Sequence, residues 1–547
     1  MIKLKQALLL LALIVLIDPQ SVHAEQEFQT EYIVSYKIVP NGEALVTYDI
    51  TIINRKADVV ATKYTLSLKQ MNIYGIIGTD NKGVMDVEVI NEENITSLNA
   101  TLNDPAIGEN KKNNFQIIFK TKNIANKVGD VWNVNIPQIQ NLELTNKYDV
   151  TLEVPVNFGP TIFVSPSPLS IKTENNNYVF FFNKNLLLDK GITSSFGEYQ
   201  TLNYRLRYQL KNDTVLSNIQ EIALPPGMKN RQMVQYNDIE PRPYKVRMDK
   251  DGNVLAQYKV PAKSVLEVLL TGSARLIGEQ INPDFGGKKS DIPGDLIKKY
   301  TGDSKYWDVY SVDIQKIAKD LYDDKKNVSQ NAQNAYDYVT KTLYYDLNAP
   351  SQELVDRRGG LAALKEPGKS ACMEYTDLFI SIVRAMGIPA RELNGYAFNN
   401  TEANLPLSIN LKGGDFLHAW PEYYDPEFGW IAVDPTWGST SGMDYFTKLD
   451  TNHFAFVTKG LNSEYPLPAG AYRIDENEKL VEIEFSQDEK DYFTDETAYE
   501  QAKKFVTGQR PSVFQIIAII VTAALVLLFL YVVMLKPELI RKVFVRK

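Results

Sequence analysis

The chain has 547 residues, a formal net charge of −8 and a single cysteine. The acidic balance lacks the clustered basic residues on which nucleic-acid binding depends, and we therefore exclude a nucleic-acid partner. One cysteine cannot form a disulfide within the chain, so each of the roughly two to four domains expected for this length needs its own apolar core.

The N-terminus is typical of a secretory signal. Lys3 and Lys5 precede an apolar run from Ala7 to Ile17, and Val22-His23-Ala24 has the small-residue pattern of a cleavage site. We therefore predict a signal peptide over residues 1–24 and export of the remaining chain.

The first half of the chain is predicted to form β-strands. Apolar and polar residues alternate over residues 46–52 and 204–208, which is the period of a half-buried strand. Turn sequences such as Asn41-Gly42 separate these runs. We predict two all-β, sandwich-like domains over residues 25–163 and 164–282, with the boundary in a proline-rich stretch.

A glycine- and proline-rich break over residues 282–295 precedes a change to helical spacing of the apolar residues. One helix is predicted from Cys372 to Met386, with Ser370 as its N-cap and Gly387 after its end. Strand-like runs follow around 415–457 and 471–486. The pattern predicts an α+β domain over residues 290–486.

The C-terminal part is predicted to anchor the chain in a membrane. Residues 487–511 are mostly polar and indicate a stalk, whereas residues 514–535 are almost wholly apolar. A helix of that length spans about 33 Å, enough for a hydrocarbon core of about 30 Å. The basic tail 536–547 is then cytoplasmic. The predicted fold class is two N-terminal β-domains, an α+β domain and one transmembrane helix, in a single-pass cell-membrane protein with its N-terminal part outside.

Cys372 is the first candidate for chemistry. It lies in the first turn of its predicted helix, where the partial positive charge and the unpaired N–H groups favour a thiolate. A thiolate nucleophile needs a base, and the chain offers His23 in the signal, His418 and His453.

A predicted hairpin supplies the base and a third residue. If the turn is symmetric about Pro426, His418 lies opposite Asp434, whose carboxylate could orient the imidazole. A one-residue slip would put the two side chains on opposite faces. This pattern predicts a triad of Cys372 as nucleophile, His418 as base and acid, and Asp434 as orienting residue.

Each triad residue also has a structural interpretation when it is taken alone. A single cysteine is commonly a small core side chain. A histidine beside Trp420 could serve packing only, and an aspartate before a proline is common in turns.

Two segments carry a family resemblance. The first, SACMEYTDLFISIVRAMGIPARELNGY, begins at Ser370, and the second, HAWPEYYDPEFGWIAVDPTWG, begins at His418. They resemble the transglutaminase-like superfamily, the circularly rearranged relatives of papain-like proteases, over a core of residues 290–460. The resemblance implies a helix packed on a β-barrel, and it implies the catalytic roles for Cys372, His418 and Asp434.

The sequence departs from this family at one position, and it does not decide which residue is the oxyanion donor. Ser370 stands where the family commonly has glycine. The family often places an oxyanion donor before the cysteine, where this chain offers Tyr344 or Tyr345; the backbone N–H of Cys372 is another donor, and Trp420 is a further candidate residue of the site. No calcium loop is evident, because residues 249–253 are better explained as a hairpin turn. We expect no cofactor or metal.

The resemblance implies an acyl-thioester step on a protein or peptide amide. Hydrolysis is slightly favoured over crosslinking to an amine, although no motif reports which acceptor enters. The alternative is a non-enzymatic adhesion or scaffold protein whose transglutaminase-like domain is inactive. Expected partners are the peptide substrate and the membrane; the oligomeric state is open.

Overall fold

The computed structural model describes residues 27–69, 71–92, 95–139, 141–188, 191–346, 357–397, 409–410, 416–474, 477–486, 493–506, 521–522 and 524–525. These residues fall into two compact units. The first takes the described residues up to 126 with 135–157 and 168–192, and the second takes 127–134, 158–167 and those from 193 onward. The domain bounds predicted from the sequence stay predictions.

The strands of the N-terminal third alternate in burial. In order they are β1 (Phe28–Ile38), β2 (Ala44–Asn54), β3 (Lys63–Lys69), β4 (Ile73–Asp80), β5 (Gly83–Glu92), β6 (Ile95–Thr101), β7 (Lys112–Thr121), β8 (Ala125–Val128), β9 (Val131–Ile136), β10 (Lys147–Pro155), β11 (Thr161–Ser165), β12 (Ser170–Glu174), β13 (Asn177–Asn183) and β14 (Ile192–Phe196), with the short helix α1 (Lys184–Leu187) after β13.

The first unit is built on a ten-stranded sheet in the order β12-β13-β10-β1-β2-β7-β4-β5-β6-β3. Val34, Tyr36 and Ile38 of β1 are buried between more exposed neighbours, as the period of two requires. Tyr64 of the terminal strand β3 lies with its ring centroid 5.3 Å from that of Phe115 in β7. The sheet therefore curls so that one end covers its own buried face.

The second unit holds the remaining strands and helices. The strands are β15 (Gln200–Asn212), β16 (Asn218–Leu224), β17 (Gln232–Glu240), β18 (Lys245–Met248), β19 (Val254–Val260), β20 (Ser264–Leu276), β21 (Glu279–Gln280), β22 (Ala390–Ala397), β23 (Ile409–Asn410), β24 (Phe416–Asp425), β25 (Gly429–Ala432), β26 (Lys448–Leu449), β27 (His453–Lys459) and β28 (Val481–Phe485). The helices are α2 (Gly294–Tyr300), α3 (Val312–Leu321), α4 (Val328–Thr342), α5 (Gly360–Lys365), α6 (Cys372–Ala385), α7 (Pro435–Ser441) and α8 (Ala498–Lys503).

Two sheets of the second unit share one apolar core. One has the order β17-β20-β15-β28 and the other β16-β19-β18. Phe454 and Phe456 of β27 join that core. The predicted hairpin turn at residues 249–253 is confirmed, since β18 and β19 pair antiparallel across it. Its Asn253 side chain donates to the Thr458 carbonyl at 2.7 Å, which fastens this turn to β27.

A five-stranded antiparallel sheet carries α6. Its order is β23-β24-β22-β27, with β25 paired to β24. Helix α6 packs against β24 and β22, with helices α3, α4 and α5 also in contact with it. The Thr376 hydroxyl donates to the Ala419 carbonyl at 3.0 Å, and this bond fixes the first turn of α6 against β24.

The membrane predictions need correction. The predicted signal (1–24), the tail (536–547) and nearly all of the predicted spanning segment (514–535) lie outside the described residues. Of the predicted stalk (487–511), residues 493–506 are described, and they contain α8. In the part that is described, no helix is long and apolar enough to cross a membrane. The longest, α4, has 15 residues, or about 22 Å. This finding contradicts the fold class with a transmembrane helix and the single-pass location; the described chain is mostly β with eight helices.

Gly395 lies where β22 bulges against β27, directly opposite His418 in β24. A Cβ at this position would lie 1.9 Å from the Phe454 carbonyl oxygen. We expect Gly395→Ala to lower the free energy of unfolding by about 3 kcal/mol, because backbone cannot yield as a side chain does. Urea unfolding measures this. Gly294→Ala is the control, since its Cβ would meet nothing within 4 Å; equal effects in both variants would refute the explanation.

Candidate active site

Cys372 opens α6 and is buried, with 1% of its surface exposed. The predicted N-cap was wrong: Ala371 occupies that position, and the Ser370 hydroxyl donates instead to the Pro367 carbonyl at 3.0 Å. Ser370 is held by a parallel bridge to Tyr345, so the helix begins one residue later than an N-cap at Ser370 would require. Ala371 has no side chain that could cap the helix, but the Glu374 carboxylate accepts the Ala371 backbone N–H at 3.0 Å.

Asp434 is the N-cap of α7 and is completely buried. Its Oδ1 accepts the backbone N–H groups of Thr436 at 2.9 Å and Trp437 at 3.0 Å. Its Oδ2 lies 2.8 Å from His418 Nε2. The helix start therefore fixes the carboxylate, and the carboxylate fixes one nitrogen of His418.

The predicted hairpin register was wrong by two residues. Asp425 pairs with Gly429, so the hairpin is centred on Glu427, and the pairing ends at Ala432. A shift of two keeps every side chain on its predicted face. His418 and Asp434 meet all the same, because the chain turns from β25 into α7 immediately after the ladder ends.

Cys372 and His418 line one cavity of about 380 Å³. Apart from the nearby Cys372 thiol, His418 Nδ1 has no hydrogen-bond partner among the described residues. Burial lowers the pKa of His418, but the charge of Asp434 and the hydrogen bonds to Asp434 and Cys372 outweigh it and raise the pKa to about 9. The thiol is thus near enough to interact with the imidazole, and Nδ1 is the nitrogen left to face it.

A comparison with known protein families identifies the segment that contains these site residues. Residues 315–435, which contain Cys372, His418 and Asp434, match the family model of the transglutaminase-like superfamily. The chain contains a transglutaminase-like domain.

Two curated proteins match parts of this chain. An uncharacterized protein, YebA of Bacillus subtilis, is 31% identical over 120 residues, which is 22% of this chain and 15% of YebA. A protein-glutamine gamma-glutamyltransferase of Pseudomonas aeruginosa is 41% identical over 66 residues, which is 12% of this chain and 10% of that protein. The matched segments are thus small parts of both relatives.

A crystal structure of a candidate cysteine protease from Cytophaga hutchinsonii covers 53% of this chain and 99% of its own chain, with 17% identity and a TM-score of 0.34.

His453 lies beyond the matched segment 315–435, and the sequence assigned no role to it. Its Nε2 lies 3.2 Å from Asp434 Oδ2, and its Nδ1 lies 2.8 Å from Asp450 Oδ1. Asp434 Oδ2 therefore faces two histidines. The sequence offered only a weak signal, namely that His453 is one of three histidines in the chain.

The other predicted site residues, Tyr345, Tyr344 and Trp420, differ in their burial and in their surroundings. The Tyr345 hydroxyl is buried, and the structure gives it no hydrogen-bond partner among the residues it describes. Burial and then the nearby Cys372 raise the pKa of Tyr345. Tyr344 is 67% exposed. Trp420 is buried and lines a separate small cavity with His453, so it does not reach the cavity of Cys372.

The donor atoms of His418, Asp434 and His453 lie within 4.8 Å of one another, a spacing that metal ligands also show. Hydrogen bonds of 2.8 and 3.2 Å between the carboxylate and the two rings account for that spacing. We therefore assign these three side chains to a hydrogen-bonded network.

The raised pKa values of the two histidines predict a loss of stability at alkaline pH. Burial lowers the pKa of His453, but Asp450 and Asp434 raise it to about 9, as Asp434 does for His418. Both rings titrate near 6.5 when unfolded. Their contribution is complete below about pH 6.5 and is lost as the pH passes about 9.

We expect the free energy of unfolding to fall by about 3 kcal/mol for each histidine, or roughly 6 kcal/mol for both, over this interval. Urea unfolding at several pH values measures the fall. The double variant His418→Gln, His453→Gln serves as the control, because it removes both titrating groups. An equally steep decline in the double variant would contradict the assignment.

Proposed function

We propose that the transglutaminase-like domain is a cysteine acyl-transfer enzyme. Cys372 is the nucleophile, His418 the general base and acid, and Asp434 the orienting residue. One observation carries the proposal: Asp434 holds His418 Nε2 at 2.8 Å, and Nδ1 has no described partner apart from the Cys372 thiol, which lines the same cavity.

In the acylation step, His418 Nδ1 accepts the thiol proton and the Cys372 sulfur attacks the carbonyl carbon of an amide. The carbon–nitrogen bond then breaks, and His418 returns the proton to the leaving amine. The product is a thioester on Cys372 and a free amine. The elevated His418 pKa supports this step, because it favours the imidazolium that accompanies a thiolate.

The negative oxygen formed during attack needs hydrogen-bond donors. The helix start supplies the backbone N–H of Cys372. The Tyr345 hydroxyl is the stronger side-chain candidate, because it is buried beside Cys372 and has no described acceptor, whereas Tyr344 is exposed. We assign the first oxyanion donor to the Cys372 N–H, and we propose Tyr345, which does not itself line the cavity of Cys372, as the second.

In the deacylation step, a second molecule attacks the thioester, His418 takes its proton, and the carbon–sulfur bond breaks to restore the thiol. With water the product is an acid, and we place this hydrolytic reaction first. The matched segment of the relative named protein-glutamine gamma-glutamyltransferase supports a primary amine as the second candidate acceptor.

The test uses the purified full-length chain with a glutamine-containing protein substrate, with and without a labelled primary amine. We expect ammonia release, with free acid as the main product and some amine incorporation. Cys372→Ala should lower the rate at least about 10³-fold. Amine incorporation without free acid would exclude the hydrolytic assignment and leave transamidation.

Thiol labelling tests the non-enzymatic alternative. Because the chain has one cysteine, mass spectrometry reads a single site. We expect iodoacetamide to label Cys372 in the folded chain at neutral pH faster than in His418→Gln. If only the urea-unfolded chain is labelled, the enzymatic proposal fails.

A further inference from the structure

His453 is flanked by carboxylates on both sides of its ring. Asp434 Oδ2 lies 3.2 Å from Nε2 and Asp450 Oδ1 lies 2.8 Å from Nδ1, while the side chain is only 1% exposed. A carboxylate without a proton can only accept a hydrogen bond, so each ring nitrogen must donate one. The geometry therefore describes an imidazolium with protons on both nitrogens.

The groups around His453 belong to several elements. Asp450 precedes β27, Asp434 caps α7, and the His418 ring on β24 lies 5.7 Å away between centroids. The Tyr445 ring lies at 6.1 Å, and its hydroxyl donates to Asp450 Oδ2 at 3.1 Å. Arg231 borders the same small cavity, but its guanidinium binds Glu422 at 2.5 Å. The two carboxylates thus dominate the surroundings of the ring.

Asp434 Oδ2 is shared between the two histidines. It lies 2.8 Å from His418 Nε2 and 3.2 Å from His453 Nε2, while Oδ1 is occupied by two backbone N–H groups. A charged His453 both fixes this oxygen and offsets part of its negative charge. It also places a positive charge close to the His418 ring, which opposes a second positive charge there.

We propose that His453 is a positioning residue, an imidazolium held by Asp450 that fixes the Asp434 carboxylate and limits how strongly that carboxylate retains the His418 proton. The proposal rests on the proposed function, because it concerns the base of the same reaction. It extends the three-residue arrangement to a line of five, from Cys372 through His418, Asp434 and His453 to Asp450. His453 acts through Asp434 and touches no reacting atom.

The pH profile of Cys372 alkylation by iodoacetamide tests this inference in the full-length chain. A cysteine–histidine ion pair gives an acid step and an alkaline step, and in the alkaline step His418 loses its proton. His453→Gln removes the positive charge but keeps a side chain that can donate to Asp434. We expect the alkaline step to move upward by about one pH unit or more.

Asp450→Asn is the second variant, and it does not touch His418. Its amide oxygen can still accept the His453 Nδ1 proton, but it no longer stabilises the ring's charge, so the alkaline step should move in the same direction. Asp444→Asn is the matched control. Asp444 accepts the Phe446 and Thr447 N–H groups in the neighbouring turn at 3.1 and 2.9 Å, and this variant should leave the profile unchanged.

The outcomes separate the two proposals. If the wild-type profile lacks a reactive thiolate and is unaffected by His418→Gln, the proposed function fails. If the profile depends on His418 but is unmoved by His453→Gln and Asp450→Asn, the role of His453 is overturned while the function stands. A role in stability alone would reduce the folded fraction without moving the steps of the profile.

A measurement on the wild-type protein covers the case in which the variants fail to fold. Histidine labelled with ¹⁵N reports ring protonation, and the chain has only three histidines. We expect a buried imidazolium with two N–H protons at about pH 7.5 both in the wild type and in His418→Gln, where His453 is the ring that supplies it. A neutral His453 ring at that pH would overturn the inference.

Discussion

Replacing Asp434 by alanine is expected to lower the free energy of unfolding by about 3–5 kcal/mol and the acyl-transfer rate by about 10³- to 10⁴-fold. The carboxylate is fully buried and accepts hydrogen bonds from two backbone N–H groups and two histidines. Its removal leaves α7 without its N-cap and leaves His418 and His453 without their shared partner. Urea unfolding and the amide-turnover assay measure the two effects.

Asp434→Asn separates stability from catalysis. The amide oxygen can still accept the Thr436 and Trp437 N–H groups, so much of the helix cap is retained. Its N–H₂ group would face His418 Nε2 and favour the wrong ring tautomer, so the rate should fall nearly as far as in the alanine variant. An alanine variant that keeps more than about a tenth of the activity would contradict the role given to Asp434.

Arg357→Met is expected to destabilise the chain by about 3–5 kcal/mol. The Arg357 side chain is 8% exposed and lies between Asp377 and Glu392, which are both fully buried. Its Nε donates to Asp377 at 2.9 Å, its Nη2 to Glu392 at 2.6 Å, and its Nη1 to the Ser463 carbonyl at 2.7 Å. Methionine fills a similar volume but removes this guanidinium from both carboxylates, which leaves Glu392 with Lys459 at 3.6 Å and Asp377 with the Trp307 N–H at 3.0 Å.

Arg358→Ala is the control for Arg357→Met. The Arg358 guanidinium pairs with Glu366 at 3.2 Å, and the Glu366 side chain is 53% exposed. An ion pair open to solvent contributes no more than about 1 kcal/mol. Urea unfolding near pH 7 compares the neighbours. Similar losses in both variants would show that burial is not what makes Arg357 important.

Protonation of Asp377 would reduce the loss in the Arg357 variant. Burial raises the pKa of Asp377 to about 7, although Arg357 opposes this. Without the guanidinium, Asp377 would take up a proton at neutral pH. The destabilisation caused by Arg357→Met should therefore be larger at alkaline pH than at slightly acidic pH.

Local patterns predicted the parts of the site that depend on neighbours in sequence. The helix from Cys372 was expected to end at Met386, and α6 ends at Ala385 with Met386 as its C-cap. Gly387 follows with φ +78°, a conformation that favours glycine and stops the helix. The turn at residues 249–253 was likewise confirmed.

Contacts between residues that are far apart in the chain have no comparable pattern in the sequence. Apolar spacing predicted the helix from Cys372, but it did not predict that Glu374, Asp377 and Arg384 are buried, because partners elsewhere in the chain bind them. The pairing of His453 with Asp434 depends on where β27 joins the sheet. A sequence alone does not report that position.

The pairing of β28 with β15 has a consequence for work with fragments. Tyr204 of β15 lies opposite Ile483 of β28, so the partner strand of β15 is nearly 280 residues later in the chain. A fragment limited to the matched residues 315–435 would lack β27 and with it His453 and one neighbour of β22. A fragment ending near residue 460 would leave β15 as an open sheet edge, which invites intermolecular strand pairing. A fragment that extends through residue 506 keeps β15 paired with β28 and also retains α8, whose Ala498 and Ala502 are buried in the same core.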